Sequence, residues 1–265
     1  MKNSSEIMIP TPGMYDLHNH MLPGIDDGPD DWDAAVNMLR QAADDGIRGI
    51  AATPHVMTRM HGPSKEWISS LTEELRRRSG GLKIDLFVGS EIFLTAETVA
   101  GIRNRLFHTI NSSRYVLVEV PENFSRVNLL NFIFELTSSG FVPVIAHPER
   151  NPKLSADPNL LYEVVSMGAI GQLDAGSVTG HFGTDTKRAA LDMLSRRLVH
   201  IMATDAHSDN TRPPLLSGGL KAVEKAFGRD VAYSMTYENP KRIIEDKILE
   251  IDEPVYNRKR LVSIF

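Results

Sequence analysis

Short apolar runs in this chain end again and again on imidazoles and carboxylates. Residues 14–17 lead into His18 and His20, 47–53 into His55, 84–89 into Glu91, 115–118 into Glu119, 141–146 into His147, and 199–204 into Asp205 and His207. A seventh run, 169–173, ends on Asp174, to which the sequence alone assigns no role. Residues two apart on an extended chain point to the same side, so His18 and His20 can reach one ion, and Asp205 and His207 repeat that spacing. Asp26-Asp27-Gly28 follows the first pair in the same loop. Glu91 and Glu119 close apolar runs, where an unpaired carboxylate is costly to bury, which calls for a metal or an Arg beside each. The chain has no Cys. That removes disulfides, thiolate metal sites and every thiol nucleophile, phosphocysteine chemistry included. A metal here takes nitrogen and oxygen donors, a set suited to Mn, Fe, Zn, Co or Ni. The inference is a metal-dependent enzyme.

The elements that must position these groups are legible around them. In barrels of alternating strands and helices the reacting groups sit where the strands end, which gathers one polar cluster from distant segments. Seven strand starts, near 15, 47, 84, 115, 141, 169 and 199, recur about every 31 residues, the length of a strand–helix–strand crossover unit. Between them, apolar residues at helical spacing predict helices over 31–45, 64–78, 128–139, 159–166, 184–197, 215–227 and 241–249. His61, His108, His181 and His200 fall outside the strand-end pattern, and His200 opens a strand, where it packs.

Composition narrows the class. At 265 residues with 42% hydrophobic and 24% charged residues, one globular domain spanning 14–250 is expected. A net charge of −5 excludes a broad nucleic-acid face. No apolar stretch approaches a membrane span, and residues 1–13 lack the apolar core of a signal peptide, which predicts a cytoplasmic protein with a short N-terminal arm. Residues 251–265 pass from acidic to basic and apolar, a frayed tail or a docking element for an acidic partner or an anionic membrane.

At the level of motifs the chain resembles the bacterial PHP-domain protein-tyrosine phosphatases of the capsule and exopolysaccharide biosynthesis type. The resemblance rests on the segment from His18 to Gly28, Ala52-Thr53-Pro54-His55, Gly89-Ser90-Glu91-Ile92, the segment from Ser113 to Glu119, the segment from Val144 to Asn151, and Thr204-Asp205-Ala206-His207 with Arg212-Pro213-Pro214. It implies a distorted (β/α)7 barrel with the active site at the C-terminal ends of the strands, holding three divalent metal ions, manganese foremost. Carried over, His18, His20, Glu91 and Asp205 surround one ion, Glu91, Glu119 and His147 a second, and His55, His207 and Asp27 a third. Arg150 and Arg212 match arginines that hold the substrate phosphate. One departure is Val56, where relatives often carry a second His after the first.

The activity so implied is hydrolysis of phosphotyrosine on the tail of a tyrosine autokinase controlling capsular or exopolysaccharide synthesis, by attack of metal-bound hydroxide. Clustered cations that lower the pKa of water and clamp phosphoryl oxygens suit that chemistry. The partner could bring the protein to the membrane, as could the C-terminal tail. Two alternatives stand beside it: a small-molecule phosphoesterase such as a histidinol-phosphate phosphatase, and a metal-bearing regulatory module that binds the kinase.

Overall fold

The computed structural model describes residues 13–58 and 62–257. The expected arm up to residue 12, His61, and the basic and apolar end of the tail from Arg258 onward lie outside the described residues.

Among the described residues nine strands form: β1 (Met14–Asn19), β2 (Ile47–Ala52), β3 (His55–Val56), β4 (Asp85–Val88), β5 (Glu91–Phe93), β6 (Tyr115–Glu119), β7 (Val142–Ile145), β8 (Ile170–Asp174) and β9 (Ile201–Ala203). They run in the orders β1-β2-β4 and β3-β5-β6-β7-β8-β9, every pair parallel. Seven apolar runs yield nine strands because two runs are broken. Thr53-Pro54 interrupts the second, Pro having no N–H for a ladder, and Gly89-Ser90 interrupts the third. The breaks lie side by side and are stitched together by Gly89 N donating to Ala52 O at 2.9 Å and Glu91 N to Pro54 O at 3.1 Å. After the offset His55 stands in register with Glu91, and Glu91 with Leu117.

The first and last strands also meet. Asn19 and Ala206 form a parallel bridge, His20 N donates to Ala206 O at 2.8 Å, and Asp205 N to His18 O at 2.9 Å. The result is an α/β fold whose parallel strands curl round and whose C-terminal ends share one mouth. Alternation along each strand divides the apolar residues in two. Tyr115 and Leu117 join Leu17, Ala51, Val144, Ile170 and Ile201 in an inner cluster, while Val116 and Val118 face a larger cluster that includes the helices. Glu119 continues the inner face of β6 past its last apolar residue.

The covering helices begin and end on local signals. Asp31 accepts from Ala34 N to start Trp32–Asp45, and Gly46 at φ 98° stops it. That helix buries Ala35, Val36, Met38, Leu39 and Ala42, each of the larger side chains stabilising by about 1.5–3 kcal/mol. Ser64 and Ser125 cap Lys65–Arg78 and Arg126–Ser138 in the same way. The departures from the sequence reading are local, and they include short unexpected helices over Pro152–Ala156, Ala175–Thr179 and Arg229–Tyr233. A helix over Ala96–Arg103 forms on a reciprocal Thr95–Thr98 cap. The last helix is Asn239–Ile244 rather than 241–249, the chain turning at Asp246 with φ 53°. No helix among the described residues is long and apolar enough to cross a membrane.

Candidate metal centre

All nine residues expected to ligate metal meet at the mouth. Their donor atoms form four groups, each within 4.8 Å: His20, Asp27, His55 and His207; His18, Glu91 and His147; His18, His20 and Asp205; and His55, Glu91 and Glu119. The membership differs in detail from the three sets carried over by resemblance, since His20 also stands with His55 and His207, and His55 with Glu91 and Glu119. His18 and His20 shed their N–H groups away from the centre. The His18 Nδ1 contacts Gln172 Oε1 at 2.8 Å, and the His20 Nδ1 contacts Asp26 Oδ2 at 2.8 Å. The His207 Nδ1 donates to Asp205 O at 2.9 Å. Three Nε2 atoms are thereby left as lone-pair donors facing inward.

What they face is equally acceptor-like. The buried Glu91 Oε2 lies 2.9 Å from His55 Nδ1, 3.2 Å from His18 Nε2 and 3.3 Å from His20 Nε2, yet it has no hydrogen-bond partner among the described residues. His18 Nε2 and His20 Nε2 are themselves 3.2 Å apart. Lone pairs converging on shared space in a dry site are reconciled by a cation, so the donor set fits divalent metal.

Electrostatics bind the cluster together. Burial opposes ionisation of Glu91, but His18, His147 and His20 outweigh it and hold the carboxyl well below its ordinary range. Burial likewise opposes charge on His18 and His147, but Glu91 outweighs it, joined by Asp205 at His18 and by Asp174 and Asp205 at His147, which is taken up to about 10, so a proton competes with a cation for the inward nitrogens of these rings. His207 is pushed down to about 4 by burial and by His20. Glu119 is raised by burial and by Glu91. Two of the nine positions carry unusual backbone, His147 at φ 30° and Asp205 at φ 50°, a strain that clusters at functional sites.

The two arginines expected to hold phosphate also reach the cluster, and both do so through Asp205. Its Oδ1 faces His18 and His20 at 3.4 Å, while Oδ2 accepts from both Arg150 Nη1 and Arg212 Nη2. Arg150 Nη1 also donates to Asp174 Oδ2 at 2.9 Å, which gives Asp174 a place beside that guanidinium. Phe182 lies beneath both, 4.5 Å from Arg150 Cζ and 5.9 Å from Arg212 Cζ.

Four supporting residues escaped the sequence reading. Gln172 serves His18, and it also accepts from His147 N at 3.3 Å and donates to Asp174 Oδ1 at 2.9 Å. Its signal is a lone amide within an apolar strand. Asp26 fixes His20 and accepts from His55 N at 3.0 Å. Asp16 accepts from Thr204 N at 3.0 Å and Thr204 Oγ1 at 2.6 Å, tying the first strand to the last, and burial pushes its carboxyl up to about 6. Phe182 gives no signal, being one aromatic residue in a loop. Of the histidines set aside, His108 contacts Ser69 Oγ and Lys65 O, and His200 packs against Gly171, far from the mouth.

The whole of this architecture falls in one known family, because residues 14–245 match the family described as capsular polysaccharide synthesis, CpsB/CapC. The chain belongs to the CpsB/CapC family. Among relatives, it is 33% identical to the tyrosine-protein phosphatase YwqE of Bacillus subtilis, over 93% of this chain and 98% of that protein. It is 28% identical to the tyrosine-protein phosphatase CpsB of Streptococcus pneumoniae, over 89% of this chain and 100% of that one. A crystal structure from work on those two proteins, described as unique metal-dependent tyrosine phosphatases, superposes with a TM-score of 0.88 at 31% identity, covering 93% of this chain and all of that one. A histidinol phosphate phosphatase from Lactococcus lactis shares the CpsB/CapC fold at a TM-score of 0.54 and 12% identity, over 81% of this chain and 94% of that one.

Proposed function

We propose that this CpsB/CapC chain is a cytoplasmic, metal-dependent protein-tyrosine phosphatase that removes phosphate from the phosphotyrosine tail of a tyrosine autokinase governing capsular or exopolysaccharide synthesis. The observation that carries it is the gathering of nine nitrogen and oxygen donor residues into four overlapping groups at one mouth, two of which contain the buried Glu91. The YwqE and CpsB relatives support the reaction class. On this reading the breaks at Thr53-Pro54 and Gly89-Ser90 divide two staves of a seven-staved barrel, and residues 14–250 act as one domain between an N-terminal arm and the tail.

Three divalent ions, manganese foremost, would be held by His18, His20, Glu91 and Asp205, by Glu91, Glu119 and His147, and by His55, His207 and Asp27. Glu91 belongs to two of the four groupings, as do His18, His20 and His55, and of these only its carboxylate has two oxygens to offer. When bound, the ions supply an activated water nucleophile and positive charge against the phosphoryl oxygens. The protein does the rest. Arg150 and Arg212, always charged and planar, hold the phosphate by their remaining N–H donors. Asp205 fixes both arginines by its outer oxygen, so phosphate grip and metal ligation share one carboxylate. Gln172 and Asp26 hold His18 and His20 with Nε2 inward. A tyrosyl leaving group, with a phenol pKa of about 10, needs little protonation on departure.

The test is turnover of a phosphotyrosine peptide and of histidinol phosphate by the purified protein, before and after chelation and with manganese restored. Chelator-sensitive turnover of the peptide supports the proposal. Turnover of histidinol phosphate alone would replace it with the small-molecule reading. Undiminished biological output from Glu91→Ala or His207→Ala would replace it with the kinase-binding one.

A further inference from the structure

Arg212 belongs to two environments at once. Its Nη2 donates to Asp205, and its side chain also walls a cavity of about 240 Å3 whose apolar lining comes from Ala175, Gly176, Phe182, Pro213, Leu215 and Gly218. The wall has local causes. Gly180, at φ 95°, ends the short helix Ala175–Thr179 and reverses the chain, so that His181 N donates to Gly176 O at 2.9 Å. That turn carries Phe182 back over Gly176, where a Cβ would lie only 2.7 Å from the ring, so a glycine is needed for the ring to settle. The seated ring lies beneath both guanidinium groups, and a cation over an aromatic face is attracted to it.

This juxtaposes two unlike surfaces. On one side stand two permanent positive charges, with Arg212 Nε buried and lacking an acceptor among the described residues. On the other lies an apolar hollow with room for a ring, since a dry cavity of about 150 Å3 takes benzene. A ligand that satisfies both is an anion on an aromatic stem. An alkyl phosphate would meet the arginines and leave the hollow unfilled.

We infer that this cavity seats the phenyl ring of the phosphotyrosine and that Phe182 and the Gly218 wall set a preference for aryl over alkyl phosphomonoesters. The inference rests on the phosphatase reading above. Gly218 offers a direct test, because it sits near the start of the helix Ser217–Phe227 and a Cβ there meets only Thr179 Cγ2, at an ordinary 3.5 Å. Gly218→Leu therefore fills the hollow without a backbone clash, and Phe182→Ala removes its aromatic wall. The measurement is kcat/KM for p-nitrophenyl phosphate, a phosphotyrosine peptide and β-glycerophosphate with manganese-loaded wild type and both variants.

The expected result is that Gly218→Leu lowers the aryl-to-alkyl ratio by about tenfold or more, through KM, with Phe182→Ala moving it in the same direction. An unchanged ratio, or equal losses on all three substrates, would overturn the pocket assignment while leaving the phosphatase reading intact. A loss confined to the peptide would also overturn it, by assigning the hollow to a flanking side chain. A wild type that cleaves β-glycerophosphate and neither aryl ester would remove the tyrosine-phosphatase reading, and this one with it.

Discussion

Gln172 is where the account is most exposed to experiment. Its side chain makes three connections: Oε1 to His18 Nδ1 at 2.8 Å, Oε1 from His147 N at 3.3 Å, and Nε2 to Asp174 Oδ1 at 2.9 Å. Gln172→Met keeps length and volume but withdraws the acceptor that holds His18 with Nε2 inward. The residue is fully buried, so no water replaces the lost partner. One buried N–H left without an acceptor costs about 1–3 kcal/mol. If His18 carries that cost into metal binding, manganese affinity falls about 10–100-fold, the range seen when partners of metal-bound histidines are removed. Titration of metal-stripped protein by calorimetry reads this directly, with Leu173→Ile as a packing control on the same strand. Unchanged manganese affinity in Gln172→Met would refute the reasoning that this amide sets the His18 ligand face.

Three further outcomes follow from other parts of the structure. Arg212→Ala should weaken inhibition by inorganic phosphate about 10–100-fold, as expected for loss of charged hydrogen bonds, with the bound metal content unchanged. Folding buries His200 as the neutral ring and lowers its pKa to about 4, so its stabilisation is complete above the unfolded value near 6.5 and is lost as the pH falls toward 4. Between pH 7 and pH 5 this amounts to about 2 kcal/mol, and urea unfolding of His200→Gln should show a correspondingly shallower loss over that window. Gly171→Ala sets a Cβ 2.4 Å from the backbone oxygen of Leu198, and thermal melting should register a loss of about 1–3 kcal/mol because the obstacle is backbone, held close by the 2.8 Å bond from His200 N to Gly171 O.

The mouth was legible in the sequence because its chemistry is written at strand ends. An apolar run followed closely by His, Glu or Asp is an unusual neighbourhood, and seven such neighbourhoods at regular spacing identify both the strands and the face they share. Strand breaks were less legible. Thr53-Pro54 and Gly89-Ser90 look like ordinary run ends, and only the pairing of His55 with Glu91 reveals that the chain continues after an offset. Supporting residues were hidden for a different reason. Gln172, Asp16 and Asp26 act through partners distant in the chain, as in the contact of Asp16 with Thr204, and no local pattern marks which buried polar residue a remote histidine will choose. Phe182 was invisible because its place depends on a turn at Gly180 and on space above Gly176, both properties of the folded backbone.

The account depends above all on nine donor residues from six strand-end segments, Glu91 among them, holding divalent cations at one mouth. Diffraction from crystals grown with manganese, recorded at the manganese absorption edge, tests this most directly. The predicted result is three anomalous peaks within ligating distance of His18, His20, Asp27, His55, Glu91, Glu119, His147, Asp205 and His207, with Glu91 touching more than one. Density without any peak at the strand ends, in protein loaded with manganese, would contradict it.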